Sequence, residues 1–514
     1  VTGPSAASPS VRWSVVAAGL VVLVVAVWRI AAAADGIGIE TVRVDDVPVT
    51  VMVPADPHPP GVVVAHGFAG SRQLMRSFGL ALAHHGYVVA LPDLAGHGGN
   101  PAPLDGDGDV LVADVLRARD LLVDGYGVSD DEVVLLGHSM GSGAVMRAAI
   151  ERPDRVAGVV AVSPTDADVT PELPPDLKLL AGALEGRFVA NAEDLLDRAG
   201  GAGGVPGEDG RARDLEVIPG VEHVTILFSP RAHAAAARWL DAVVDREPRP
   251  SRPVWVIGWW LAALLGTVVA WRGAAPSLVG AFGSEADRGG VRGGGVRTHR
   301  VARRGGDVAE RRRYLGMAVG ALTGPVILAA VAVVLPLTEL GGMLVGPVLA
   351  AWFAIAGGIW WGIGLRAARP GPWELASGVL LLAVLLLAFG ALAPWVWLPL
   401  LPSTARALYV LPLAVLTLPW LIVFVAGFRS RRGWQAVGWW ALCSVSLLVG
   451  VAVAAVLVPG LGFVLLLLPL LPPLLALVAA VTAPWVRATA QLWGPAAAGA
   501  VLLGWVMAVL FPLT

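Results

Sequence analysis

Residues 133–141 read Val-Val-Leu-Leu-Gly-His-Ser-Met-Gly. The apolar run Val133–Leu136 suits a strand buried on both faces of a sheet, and residues 141–151 carry a helical pattern. The pattern Gly137-x-Ser139-x-Gly141 therefore falls on a strand–turn–helix bend. A bend that tight needs glycine two residues to either side, because a side chain there would strike neighbouring backbone. It lifts the Ser139 hydroxyl clear of the sheet. It also puts the Met140 N–H at a helix start, where it can donate to a developing oxyanion.

Working outward, strand and helix signals alternate over 36–247. A leading hairpin is predicted at Val42–Val44 and Val49–Val53, with strands at Val62–His66, Tyr87–Leu91, Val156–Val162, Leu177–Ala183 and Leu215–Ile218. Helical stretches are predicted up to His85 and at 110–123, 189–198 and 230–245. Alternation of this kind implies a mostly parallel sheet covered by helices on both faces.

On these motifs the segment resembles the α/β-hydrolase family, in particular its small serine esterase, lipase and dienelactone-hydrolase-like members. The resemblance covers about residues 40–247. It includes His66-Gly67-Phe68 after the third strand and Asp93-Leu94-Ala95-Gly96-His97-Gly98 after the fourth. It implies an oxyanion hole from the Phe68 and Met140 backbone N–H groups. A serine hydroxyl needs a histidine to take its proton and a carboxylate to orient that histidine. The family order of serine, acid and histidine assigns Ser139, Glu185 and His223 to these roles. Glu185 departs from the aspartate common in relatives, so Asp166 and Asp168, after the preceding strand, stand as alternative acids. His66, His97 and His138 are read as structural, His233 as a weak rival, and Glu222 as pointing elsewhere. About a dozen residues separate the strand ending near Ser163 from the next near Leu177, too few for a helical cap, so an open cleft is expected.

The 514-residue chain is 56% hydrophobic and only 15% charged, against roughly 25% charged for an ordinary soluble domain. With a mean hydropathy of +0.71, that excludes disorder, a collagen-like fibre and a single water-soluble enzyme. Residues 35–250 hold 33 of the 39 acidic and 17 of the 37 basic groups, a net −16. The expected organisation is an anchor at 1–35, a hydrolase domain at 36–250, a transmembrane helix at 251–272, a basic Gly-rich loop at 273–313 and a multi-pass domain at 314–514. About nine apolar runs of bilayer-spanning length are present, giving an all-α polytopic membrane domain beside the α/β one. The first, Val11–Ile30, is read as an uncleaved anchor, with a signal peptide cut near Ala31–Ala34 as the alternative. Ten arginines against four acids at 272–313, with Arg366, Arg369, Arg429, Arg431, Arg432 and Arg487, mark one side as cytoplasmic. The hydrolase domain is then expected outside the cytosol of a bacterial plasma membrane. Of the 20 tryptophans only Trp239 falls in the acidic domain, and most others are expected as an interfacial belt.

The single cysteine, Cys443, excludes an internal disulfide and a Cys-based zinc site. No metal or cofactor is expected, and nothing points to nucleic acid. Expected partners are a lipid or acyl-ester substrate and membrane lipids; no protein partner is indicated. Spans with almost no internal charge weigh against a secondary transporter. The leading function is hydrolysis of ester or thioester bonds. Its alternatives are acyl transfer by the same residues, a non-catalytic hydrolase-fold module, and an accessory to lipid transport.

Overall fold

A computed structural model describes residues 9–55, 59–247, 249–250, 252–286, 299–364 and 370–514. Arg366, Arg369 and positions 287–298 of the basic loop lie outside the described residues. The chain forms two compact units. One comprises Ala26–Leu261 with Leu392–Ser403 and Val509–Thr514; the other takes the chain through Val25, then Ala262–Ala391 and Thr404–Ala508.

The first unit begins within the long helix α1 (Pro9–Ala32) and is built on one eight-stranded sheet. The strands are β1 (Gly38–Val44), β2 (Val47–Val53), β3 (Gly61–Ala65), β4 (Val88–Pro92), β5 (Val133–His138), β6 (Gly158–Val162), β7 (Leu177–Gly182) and β8 (Arg213–Ile218). Their order is β1-β2-β4-β3-β5-β6-β7-β8. β1 and β2 form an antiparallel hairpin and β2 joins β4 antiparallel; every other pairing is parallel. Helices α2 (Arg76–His84), α3 (Asp109–Tyr126), α4 (Met140–Glu151), α5 (Gly186–Arg198) and α6 (Pro230–Val243) flank the sheet.

The continuous apolar runs explain this two-sided burial. Val63, Leu135, Val159 and Leu179 join the core beneath α3, α4 and α5. The intervening Val62, Val134, Val160 and Leu180 are fully buried too, and α2 and α6 pack against the sheet and each other. Each such side chain contributes about 1.5–3 kcal/mol, so none of the central strands can slip register without exposing a row of them.

Among the described residues, nine helices are long and apolar enough to cross a membrane, from Pro9–Ala32 to Trp493–Leu510. The other unit is helical throughout. Several of its tryptophans do more than mark an interface. Trp352, Trp360, Trp420, Trp439 and Trp485 are among the largest fully buried side chains. The indole N–H of Trp439 donates to the Phe424 carbonyl, and that of Trp271 to the Val481 carbonyl. Trp271 and Trp485, expected in the interfacial belt with most of the other tryptophans, are interior packing residues.

Candidate active site

β5 delivers its last residues to the carboxyl edge of the sheet, and the chain turns there at Ser139 with φ +51° and ψ −123°. A β-carbon on Gly137 would lie 2.2 Å from the Gly141 carbonyl oxygen, and one on Gly141 would lie 2.5 Å from that of His66. The two glycines are thus fixed by contact distance. The Ser139 carbonyl accepts from the Ser142 N–H at 2.8 Å, the Ser142 hydroxyl at 2.5 Å and the Thr165 hydroxyl at 3.2 Å. With the Gly143 N–H at 3.4 Å, four donors on one oxygen offset the strain of a non-glycine residue at positive φ.

Ser139, His223 and Glu185 meet. The Ser139 hydroxyl lies 3.1 Å from His223 Nε2, and His223 Nδ1 lies 2.8 Å from Glu185 Oε2. With Nδ1 protonated toward the carboxylate, Nε2 is left as an acceptor facing Ser139. The two loops are stitched together by backbone bonds, Ala183 N–H to the Ile218 carbonyl and Leu184 N–H to that of Val221. Glu185 and His223 are both buried, while Ser139 remains half-exposed. The other carboxylate oxygen, Oε1, accepts from the Ser163 hydroxyl at 2.7 Å and the Gly182 N–H at 2.5 Å. Phe188 stacks on the His223 ring, centroids 4.1 Å apart.

The alternative acids go elsewhere. Asp166 is exposed and pairs with Arg198, and Asp168 is exposed. Glu222 turns away to accept from the Val224 and Thr225 N–H groups. His233 is buried in α6 and donates Nε2–H to the Leu227 carbonyl. His66 is structural: its Nδ1–H donates to the Gly67 carbonyl and its Nε2 accepts from the Leu94 N–H. His138 donates Nε2–H to the His223 carbonyl at 2.9 Å, and burial pushes its pKa well below the usual histidine value. It is therefore neutral, with its ring 4.7 Å from that of His223.

Phe68 and Met140 flank the serine. A β-carbon on Gly67 would sit 3.0 Å from the Ser139 β-carbon, so the loop carrying Phe68 abuts the bend. Met140 is the first residue of α4, where a backbone N–H has no acceptor within the helix. A separate cavity of about 380 Å³, lined by Ile218, Pro230 and His233 among others, includes none of these residues. Among the described residues, no cluster of three or more His, Cys, Asp or Glu is gathered to hold a metal.

Sequence reading missed Ser142, Thr165, Ser163 and Phe188. Small hydroxyl residues after strands carry no pattern of their own. Phe188, three residues beyond Glu185, carries a helical signal only.

Residues 60–199 match the family described as alpha/beta hydrolase fold. The chain carries an α/β-hydrolase fold. Epoxide hydrolase A of Mycobacterium tuberculosis is 30% identical over 220 residues, 40% of this chain and 62% of that protein. Lipase LipV of the same organism is 41% identical over 90 residues, 17% of this chain and 31% of that protein. The chain thus spans less than two thirds of the length of either relative. Among solved structures, dienelactone hydrolase from Anabaena variabilis aligns over 41% of this chain and 100% of its own, with 20% identity and a TM-score of 0.31.

Proposed function

We propose that this chain is a multi-pass membrane serine hydrolase that cleaves carboxylic ester or thioester bonds. Ser139 is its nucleophile, His223 its general base and Glu185 its orienting acid. The observation that carries the reading is the unbroken relay from the Ser139 hydroxyl through both ring nitrogens of His223 to Glu185.

In the first half-reaction the Ser139 oxygen attacks the carbonyl carbon while His223 Nε2 takes its proton. The developing oxyanion lies between the Phe68 and Met140 N–H groups, a pairing worth about 3 kcal/mol per donor in enzymes of this type. The carbonyl re-forms, the alcohol or thiol departs with the proton from His223, and the acyl group stays on Ser139. Water then attacks the acyl-enzyme, again giving a proton to His223, and the acid leaves as Ser139 recovers its hydrogen. Glu185 remains a carboxylate throughout and stabilises the imidazolium.

A relative named epoxide hydrolase raises epoxide opening as a second reading. The residue at the bend argues against it here. A serine that opened an epoxide would be left as an ether, with no carbonyl for water to attack, and turnover would stop after one event. An acyl substrate leaves an ester that the same histidine can discharge.

Charge supports one side of the membrane for the hydrolase. Arg429, Arg431 and Arg432 lie between the spans Thr404–Ala426 and Trp434–Leu457, and Arg487 ends the next span. Successive crossings put these on the face opposite residues 33–255, which supports an extracytoplasmic hydrolase. The test is labelling of the full-length protein with a fluorophosphonate. Wild type should label and Ser139→Ala should not; an unlabelled wild type overturns the proposal.

A further inference from the structure

The cleft has no cap from nearby sequence, since 163–176 forms no helix between β6 and β7. Chain from far downstream nevertheless docks on the same unit. Leu392–Ser403 and Val509–Thr514 belong to the same compact unit as the sheet. They attach to the loop after β3, which abuts Ser139, and to the loop after β4. Ser71, buried three residues beyond Phe68, donates its hydroxyl to the Trp397 carbonyl at 2.6 Å. The Arg76 guanidinium lies 4.9 Å from the Trp395 ring centroid, and the Trp260 indole N–H donates to the Leu392 carbonyl at 3.0 Å.

The loop after β4 holds the end of the chain in the same way. Leu513 donates its N–H to the Gly96 carbonyl at 2.9 Å and accepts from the Leu104 N–H at 2.8 Å. A β-carbon on Gly96 would lie 2.7 Å from the Leu513 carbonyl oxygen, so the close approach itself demands glycine. His97, next along, meets the Phe68 ring edge-on at 5.6 Å. Both attachments are therefore a few residues from the candidate oxyanion loop.

The attached chain is chemically one-sided. Residues 392–403 read Leu-Ala-Pro-Trp-Val-Trp-Leu-Pro-Leu-Leu-Pro-Ser, without a charge. Leu401 is 79% exposed and Leu400 40%, and on the hydrolase itself Leu184, beside Glu185, is 69% exposed. The stretch joins Trp373–Trp395 to Thr404–Ala426, both of membrane-spanning length, and Val509 belongs to Trp493–Leu510. Chain continuous at both ends with helices of membrane-spanning length, and bearing Trp395 and Trp397, has the make-up of an interfacial segment.

We infer that the segment at 392–403 is the acyl-chain wall of the site, and that the ester reaching Ser139 is a bilayer lipid. The inference rests on the proposed role of Ser139. The lipid's carbonyl enters between Phe68 and Met140 while its hydrocarbon runs along Leu400 and Leu401.

The test uses full-length protein in dioleoylphosphatidylcholine vesicles, with 4-methylumbelliferyl oleate in the bilayer and 4-methylumbelliferyl acetate in solution. Wild type should favour the oleate. Leu401→Asp combined with Leu400→Asp should lower the oleate-to-acetate turnover ratio at least tenfold in protein that still labels with fluorophosphonate. Ser71→Ala, which frees the segment without adding charge, should lower the ratio in the same direction. An unchanged ratio in both variants, or a wild type that cleaves acetate and not oleate, overturns the inference and leaves the serine hydrolase intact. Failure of wild type to label removes both.

Discussion

Ser163 donates its hydroxyl to Glu185 Oε1 across 2.7 Å, on the carboxylate oxygen that His223 does not use. The contact ties the end of β6 to the loop after β7. It leaves the carboxylate one rotamer in which Oε2 faces the imidazole. A hydrogen bond to a charged group contributes about 1.5–3 kcal/mol. Ser163→Ala is expected to lower kcat on the order of tenfold, about 1.4 kcal/mol. Glu185→Gln should cost on the order of 10⁴, the scale seen when the orienting acid of such a triad becomes an amide. Asp166→Asn and Asp168→Asn should stay near wild type, since Asp166 pairs with Arg198 and both are exposed. Steady-state kinetics on a soluble ester separates these outcomes. A large loss in Asp166→Asn would reassign the acid.

His138 is a positioning residue on the same logic. Its Nε2–H holds the carbonyl of His223, and burial keeps its ring uncharged beside that histidine. A second cation 4.7 Å away would oppose formation of the His223 imidazolium. His138→Leu removes the donor and should lower kcat on the order of tenfold with KM nearly unchanged. His138→Gln, which keeps an N–H donor, should recover most of the loss. A purely packing role predicts the reverse, with leucine tolerated better than glutamine.

Much of this site is legible in the sequence, because its parts obey local rules. Val133–Leu136 is apolar without alternation since β5 is covered on both faces, and Gly137 and Gly141 are demanded by backbone contact. Glu185 and His223 were findable because each follows a strand at the sheet's carboxyl edge. Thr165 and Ser163 were not, since a hydroxyl reveals its partner only once two strand ends are side by side. The attachment of Trp397 to Ser71 spans 326 residues, and no periodicity in either segment encodes it. Tryptophan was misleading for a related reason. Position near a span end suits an interfacial indole, yet Trp485 is buried and donates to the Gln491 side chain.

Orientation in the membrane can be read chemically because the single native thiol is buried. Cys443 has no exposed surface and should react poorly with a membrane-impermeant maleimide. Glu208→Cys places a thiol on an exposed turn of the α/β unit, and Arg432→Cys places one between two later spans. In intact cells the first should label and the second should label only after permeabilisation. The opposite pattern would put the hydrolase in the cytosol.

Acid should loosen the α/β unit through His233. Burial lowers its pKa from 6.5 to about 4, and it stays neutral while donating to the Leu227 carbonyl. The unfolded chain therefore binds a proton on this residue at pH values where the folded chain does not. Stability is fully present above pH 6.5 and is lost as pH falls toward 4, by up to about 3 kcal/mol over the whole interval. His138 is shifted in the same direction and adds to the loss. His233→Gln keeps an N–H donor toward Leu227 without a titrating group. The drop in thermal transition temperature between pH 7 and pH 5, read by retained fluorophosphonate labelling after heating, should shrink in this variant. If His233→Gln and wild type lose stability equally over that range, His233 is not the proton-linked group.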